Sequence, residues 1–165
     1  MKLDLDRQGS GRTRLAVDEW LGLGQDPESE LPAEAELRGD LVVDNLDLRV
    51  LVHGSLQVGV EVVCDRCLTA FHGEYTADVD VVVVRARVAE PGEGESEAWV
   101  IHQRTGEVDL DEPLREAALL ALPQKLLCAD ECRGLCPTCG ANLNEGGCAC
   151  PEPAAAAEEA DHGDT

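Results

Sequence analysis

Eight cysteines are the residues of this 165-residue sequence with the clearest chemical potential. They fall in short local groups: Cys64, Cys67, Cys128, Cys132, Cys136, Cys139, Cys148 and Cys150. A C-x-x-C turn directs two thiolates toward one tetrahedral Zn²⁺ at about 2.3 Å, while nearby backbone N–H groups donate to the sulfurs. Eight such ligands predict two structural Zn²⁺ sites with four cysteines each.

Proximity along the chain favours one pairing of these ligands. The last four cysteines would form a compact zinc ribbon, and the first four would form a site that joins distant segments. Cys67 and Cys128 are 61 positions apart, so an ion held by both would close a long loop and remove much of the entropy of the unfolded chain. The residues alone leave open a second pairing, in which Cys64 and Cys67 share an ion with Cys136 and Cys139.

Other uses of the cysteines fit the sequence less well. A redox dithiol needs a depressed thiol pKa, but the C-D-R-C of Cys64 and Cys67 ends a strand pattern with no helix start beside it. We therefore keep a thiol-based redox or metal-responsive regulator that uses Cys64 and Cys67 only as the alternative function. A catalytic zinc keeps an open coordination position, whereas four cysteines fill the shell. The sequence has no Ser/His/Asp order, P-loop or dinucleotide-binding glycine motif, so we predict no enzymatic activity and no small-molecule substrate.

The charge balance restricts the partners. Lysine and arginine number 13 against 34 acidic residues, which gives a net charge of −21, and aromatic residues make up 2% of the chain. Electrostatics and the scarcity of stacking platforms favour a cationic partner over naked RNA. No stretch approaches the ~18 apolar residues of a membrane helix, and the start lacks an apolar signal segment. We expect no membrane association, a cytoplasmic location, and therefore metal ligation rather than disulfides.

Alternating apolar residues predict the strands that position the first C-x-x-C pair. Residues 46–52 and 56–62 alternate as the two arms of a β-hairpin, with a turn predicted at His53-Gly54-Ser55. Residues 76–84 predict a third strand, with three valines on its buried side. The segment 99–102 is a candidate fourth strand.

One helix is predicted near residues 111–122, just before the later cysteines. Asp111 is its expected N-cap and Pro113 lies in its first turn. An apolar stripe that includes Leu114 and Ala118 indicates one buried face. Pro123 follows the helix and ends it.

These patterns predict an α+β fold: a small antiparallel β-sheet or barrel-like core with one main helix and a C-terminal zinc ribbon. The core would span residues 1–127. The cysteine-rich zinc-binding segment 128–150 would pack onto it. Residues 151–165 would form a disordered acidic tail, and the acidic segment 89–98 would be mobile.

Three segments carry a family resemblance. CDRCL at 64–68, VDLDEPLREAALLALP at 108–123 and CADECRGLCPTCGANLN at 128–144, followed by a closing C-x-C, resemble the YceD family of large ribosomal RNA subunit accumulation proteins. The resemblance covers residues 40–150 in broad pattern and is most specific over 108–150. It implies a role in 23S rRNA accumulation and offers no catalytic residues. Some relatives lack the last four cysteines, which implies that these four form a self-contained site.

The resemblance and the charge together predict a non-enzymatic, zinc-stabilised ribosome-assembly factor. Its partner would be the large-subunit precursor, bound through 23S rRNA or through a basic large-subunit ribosomal protein. Three cations near the cysteines or on the helix are the candidate contacts to RNA or to the partner: Arg66, Arg115 and Arg133.

Overall fold

A β-sheet with one helix on its apolar face forms the body of the protein. The computed structural model describes residues 1–7, 9–24, 32–46, 48–85, 99–103 and 105–150. The acidic segment 89–98 and the acidic tail 151–165 lie outside the described residues. The elements are β1 (Lys2–Asp4), β2 (Gly11–Gly22), β3 (Glu34–Leu46), β4 (Arg49–Val63), β5 (Ala70–Val84), β6 (Trp99–His102), β7 (Glu107–Asp109) and α1 (Asp111–Ala121).

The main sheet has five strands in the order β2-β3-β4-β5-β6. The first four strands pair antiparallel, as expected, but β6 pairs parallel to β5, so the sheet is mixed. Strands β1 and β7 form a separate antiparallel ribbon. No ladder among the described residues joins β2 to β6. Of the two predicted forms of the core, the described strands match the open β-sheet rather than the barrel-like one.

The core lies on one face of this sheet. Buried side chains alternate along β3, β4 and β5, and β2 adds Val17 and Leu21. The helix packs over them against β5 and β2, and the β1–β7 ribbon adds Leu3 and Val108. Strand alternation puts polar residues on the opposite face. The described structure is thus mostly β-sheet with one short helix, and the first C-x-x-C pair directly follows β4.

The predicted turn at His53-Gly54-Ser55 was wrong. Strand β4 runs through these residues, and the chain reverses instead between Leu46 and Arg49. The four-residue step from Val52 to Leu56 keeps the alternation in phase, so one long strand buries both apolar runs. Gly54 has φ +150°, and a Cβ there would lie 3.1 Å from the carbonyl oxygen of Asp40. Glycine at this position therefore permits close approach of β3 and β4, not a reversal.

The helix start also differs from the prediction. Asp111 is the first helical residue rather than the N-cap, which is the buried Leu110, whose side chain makes no cap hydrogen bond. Asp109 supplies the capping interaction, because its Oδ1 accepts from the backbone N–H of Asp111 at 2.9 Å. Leu114 and Ala118 are buried as expected. Within the described part of the chain, no helix has the length and apolarity needed to cross a membrane.

Candidate metal centres

The first C-x-x-C turn is a tight loop at the end of β4. The backbone N–H of Leu68 donates to the carbonyl of Cys64 at 2.9 Å, and the N–H of Cys64 donates to the carbonyl of Thr69 at 3.0 Å. Leu68 has φ +57° and is the only described non-glycine residue with positive φ. The turn points the sulfurs of Cys64 and Cys67 into a buried cluster.

The second C-x-x-C turn repeats this hydrogen-bond pattern. The N–H of Gly140 donates to the carbonyl of Cys136, and the N–H of Cys136 donates to the carbonyl of Ala141, both at 2.8 Å. Gly140, with φ +72°, takes the place that Leu68 has in the first turn. The two turns are therefore two copies of one local structure.

The eight cysteines form two groups of four, and within each group all sulfurs lie within 4.8 Å of one another. The spanning cluster consists of Cys64, Cys67, Cys128 and Cys132, and the local cluster of Cys136, Cys139, Cys148 and Cys150. This is the grouping favoured by proximity along the chain. The alternative pairing of Cys64 and Cys67 with Cys136 and Cys139 does not match the geometry.

The sulfur spacing of the spanning cluster fits a tetrahedral metal ion. Four sulfurs at 2.3 Å from a central Zn²⁺ stand about 3.8 Å apart. The Sγ atoms of Cys64 and Cys132 are 3.7 Å apart, and those of Cys67 and Cys128 are 3.6 Å apart. A disulfide would need about 2.05 Å, and all eight cysteines are free. The donor set and its spacing therefore suit a thiophilic divalent ion.

The thiols of the spanning cluster differ in their readiness to ionise. Burial opposes ionisation of Cys64, but backbone N–H groups, with that of Cys128 first among them, lower its pKa to about 6. The hydrogen bond with Cys67, followed by burial, raises the pKa of Cys128 to about 12. The four thiols cannot all be anionic at neutral pH without a nearby cation. A divalent ion would provide that compensation.

The local cluster repeats the contrast in a more exposed setting. The backbone N–H of Cys139 is the main cause that lowers the pKa of Cys136 to about 6. The hydrogen bond with Cys139 raises the pKa of Cys150 to about 12. The Sγ atoms of Cys148 and Cys136 lie 3.2 Å apart. Only Cys136 of this cluster is buried, and Cys139 is exposed.

Asn144 lies between Cys139 and Cys148 in the chain yet contacts the spanning cluster, and the spacing of the cysteines did not predict this contact. Its Nδ2 donates to the Sγ of Cys132 at 3.3 Å, and its Oδ1 accepts from the backbone N–H of Arg133 at 2.8 Å. An amide donor to a coordinating sulfur orients the ligand and stabilises its charge. A sequence signal for a role of Asn144 was present, because this residue ends the C-G-A-N-L-N stretch of the segment that resembles the family.

Two further contacts fix the spanning cluster to the segment after the helix. Asp65 and Leu126 exchange hydrogen bonds, since the N–H of Asp65 donates to the Leu126 carbonyl at 2.8 Å and Oδ2 of Asp65 accepts from the Leu126 N–H at 2.7 Å. Gly134 has φ +73°, and a Cβ there would lie 3.0 Å from the carbonyl oxygen of Arg66. Close backbone approach thus requires glycine beside Cys132.

The three predicted contact arginines do not form one surface. Arg66 donates to the carbonyl of Cys132 at 3.1 Å, and Arg133 follows Cys132 directly, so both lie beside the spanning cluster. Arg115 instead donates to the carbonyl of Gly22 at 2.8 Å and pairs with Glu112. It therefore connects α1 to the end of β2.

Comparison with known proteins adds an independent finding. Residues 52–161 match the family model described as "Large ribosomal RNA subunit accumulation protein YceD". An uncharacterized protein of Mycobacterium leprae is 32% identical over 109 residues, covering 66% of this chain and 50% of that protein. Uncharacterized proteins of Mycobacterium bovis and Mycobacterium tuberculosis are 30% identical over 105 residues. The chain spans about half the length of these curated relatives, and no solved structure has significant similarity to it.

Proposed function

Because the chain belongs to the YceD family of large ribosomal RNA subunit accumulation proteins, we propose that it is a non-enzymatic factor for assembly of the large ribosomal subunit. It supports 23S rRNA accumulation in the cytoplasm, where ribosomal subunits are made. The match to the family model over residues 52–161 is the observation that carries this proposal.

Two structural Zn²⁺ ions, one in each cysteine cluster, are part of the proposal. The separations of 3.7 Å and 3.6 Å between sulfurs of the spanning cluster support it. When bound, each ion supplies positive charge and a four-way cross-link, and a filled four-cysteine shell has no open position for substrate. The chain's own residues orient the ligands, through the N–H groups of the C-x-x-C turns and the amide of Asn144. The local cluster in residues 136–150 would then form a zinc ribbon.

The proposed direct partner is a basic large-subunit ribosomal protein. The chain carries a net charge of −21, so long-range electrostatics attract a cationic partner and oppose approach of a polyphosphate. Arg66 and Arg133 are the residues that would contact 23S rRNA if the partner were RNA, but the neighbouring Asp65, Asp130 and Glu131 offset their charge. An acidic body of this kind can hold a basic protein in solution before delivery to the subunit precursor.

Deletion of the gene tests the proposal. We expect the mutant to have a lower ratio of 23S to 16S rRNA, and the wild-type protein to restore the ratio and to sediment with large-subunit precursors. Mobility shifts with 23S rRNA fragments separate the two kinds of partner, because tight binding that weakens steeply with salt indicates direct phosphate contact. An unchanged rRNA ratio together with no co-sedimentation would refute the assembly role.

A thiol-based redox or metal-responsive regulator is the second candidate function. The lowered pKa of Cys64, about 6, favours it. Oxidation requires thiolate character and access at the same sulfur, however, and Cys64 is fully buried while the exposed Cys128 has a pKa raised to about 12. Mild peroxide treatment distinguishes the two functions. An assembly factor with structural zinc should still restore the ratio of 23S to 16S rRNA after this treatment. A regulator should lose and regain its effect on that ratio as Cys64 is oxidised and reduced.

A further inference from the structure

The outer face of the sheet, opposite the core, is rich in carboxylates. Guanidinium groups there are fewer: Arg12 contacts Asp44 at 2.8 Å and Arg38 pairs with Glu36, and Arg14 and Arg49 are the other arginines on strands β2 and β4. Most of the exposed acids project from the middle strands: Glu34, Asp40, Glu61, Glu74, Asp78 and Asp80. Carboxylates therefore outnumber guanidinium groups on this described face, which leaves it with an excess of negative charge.

A groove lies at one end of this face. Its lining is formed by Trp20, Ala33, Glu34, Gly59, Glu61 and His72. Its volume is about 310 Å³, which is at the small end of the ~300–1,000 Å³ range of ligand pockets and accommodates one long side chain. His72 lies over Gly59, where a Cβ would come within 3.2 Å of the imidazole. The floor of the groove thus depends on a residue without a side chain.

One wall of the groove is the solvent-exposed indole ring of Trp20. Trp20 is 67% exposed, whereas Trp99, the other tryptophan, packs against the core. One exposed apolar side chain is common on protein surfaces, but this indole lines a groove together with two carboxylates. Among aromatic side chains, tryptophan also attracts a cation to its ring face most strongly.

The groove carries its own negative charge beside this ring. Glu61 contacts Nδ1 of His72 at 3.0 Å, and no described cation lies within ion-pairing distance of Glu34. An indole wall with adjacent carboxylates matches a guanidinium group, which stacks on aromatic rings and donates to carboxylates in a planar fork. The compact, strongly hydrated ammonium of lysine matches it less well.

We propose that this groove binds an arginine side chain from an extended basic segment of a ribosomal protein, with Trp20 stacked on the guanidinium and Glu34 and Glu61 as acceptors. The inference rests on the proposed function, whose partner it specifies. Charge complementarity selects the occupant, because the surrounding face and the whole chain are acidic and would repel a polyanion.

Binding of an arginine peptide to the full chain tests the groove. The probe is an amidated nona-arginine peptide, titrated into a Trp99→Phe protein so that Trp20 is the one remaining indole. We expect its fluorescence to change on binding, and calorimetry to give a Kd at least several-fold lower for nona-arginine than for nona-lysine. Trp20→Ala, made in the wild-type chain and followed by calorimetry, should raise the Kd about tenfold, the loss of a partly desolvated cation–π contact.

A pair of charge-matched variants separates the groove from general attraction. Glu34→Gln/Glu61→Gln should raise the Kd about tenfold, whereas Asp40→Asn/Asp80→Asn, which removes the same charge elsewhere on the face, should raise it less than about threefold. Equal loss in the two double variants would overturn the proposal. Trp20→Phe guards against a folding artefact, because it keeps an aromatic wall and should bind with an intermediate Kd and an unchanged thermal melt.

Three other outcomes would also overturn it: binding of a 23S rRNA fragment that is lost in Trp20→Ala, a dimer of this chain that the same variant dissociates, or peptide binding by Trp20→Ala equal to wild type. The experiments distinguish refutation of arginine binding by the groove from refutation of the assembly role. If wild-type protein restores 23S rRNA while Trp20→Ala binds the peptide normally, only the groove is refuted. If wild-type protein does not restore 23S rRNA, the assembly role is refuted whatever the peptide shows.

Discussion

The two cysteine clusters share one turn but differ in how they meet the rest of the molecule. In each, a C-x-x-C loop with the same pair of backbone hydrogen bonds presents two sulfurs. The spanning cluster has three buried cysteines and packs against Phe71, which also contacts the main core. The local cluster has one buried cysteine, and its ligands lie within a single short segment.

This difference assigns different structural roles to similar sites. A cross-link between Cys67 and Cys128 closes a loop of the chain that contains β5, β6, β7 and α1, so it stabilises the whole body by restricting the unfolded state. A cross-link within residues 136–150 restricts only that segment, which has few apolar residues of its own. The comparison predicts that damage to the spanning cluster spreads and that damage to the local cluster stays local.

Removal of both metal ions should have the largest effect, because structural Zn²⁺ supplies on the order of 10 kcal/mol of folding free energy in zinc-finger peptides. We expect purified protein to contain two Zn²⁺ per chain, and a chelator to remove the ion of the exposed local cluster first. Amide signals of residues 133–150 should then collapse while the sheet persists. A colorimetric zinc assay with parallel NMR spectra measures the order. Simultaneous loss of both ions with global unfolding would contradict the comparison.

Single ligand substitutions separate the clusters. Cys64→Ser or Cys128→Ser should loosen the whole body and lower the melting temperature by roughly 10–20 °C, as expected for loss of about half the zinc contribution. Cys139→Ser should disorder mainly residues 133–150 and leave the melt of the sheet within about 5 °C of wild type. Circular dichroism at a strand-sensitive wavelength follows these melts. Identical melts for the three variants would rule out two separate sites.

Asn144 should reveal how far the clusters are coupled. Asn144→Ala removes the N–H donor to Cys132, and loss of such an outer contact lowers metal affinity about 10- to 100-fold. The measurement is the thermal melt of the zinc-loaded protein with the local cluster intact, in which a weaker site in the spanning cluster lowers the melting temperature of the sheet. Glu145→Gln is the matched control, since Glu145 is exposed and contacts no sulfur. Equal melting temperatures for Asn144→Ala and the control would show that the clusters are independent.

The sequence contains enough information for much of the scaffold and for the grouping of the cysteines. The buried positions Val79, Val81 and Val83 follow from alternation, and the two sets of four sulfurs follow from proximity. Alternation cannot distinguish a strand that continues through Gly54 from a hairpin turn there, because both keep the apolar residues in phase. The pairing of β3 with β4 decides between them, and that is a long-range contact.

Outer contacts of the clusters were less predictable for a related reason. Asn144 acts on Cys132 across a fold of the segment, so spacing along the chain does not indicate the contact. Likewise Gly140 signals a left-handed turn through its residue type, whereas its counterpart Leu68 adopts the same region against its own preference. Steric preference is a usable signal only where the residue type agrees with the backbone.

The mismatch at Leu68 gives the smallest expected effect and the sharpest comparison of the two turns. Leu68→Gly should stabilise the protein by about 0.5–1 kcal/mol, since relief of the left-handed backbone exceeds the entropy that glycine loses on folding. Leu68 is 65% exposed, so little packing is lost.

Gly140→Leu should destabilise the local segment by about 1–2 kcal/mol. Because a Cβ at Gly140 meets nothing within 4 Å, that loss comes from the backbone conformation. Gly140→Asn is the control, as asparagine tolerates this region and should cost less. Thermal melts measure the first change and zinc affinity the second. If Leu68→Gly lowers the melting temperature, the exposed leucine contributes more through contacts than its backbone strain removes, and the two turns are not energetically equivalent.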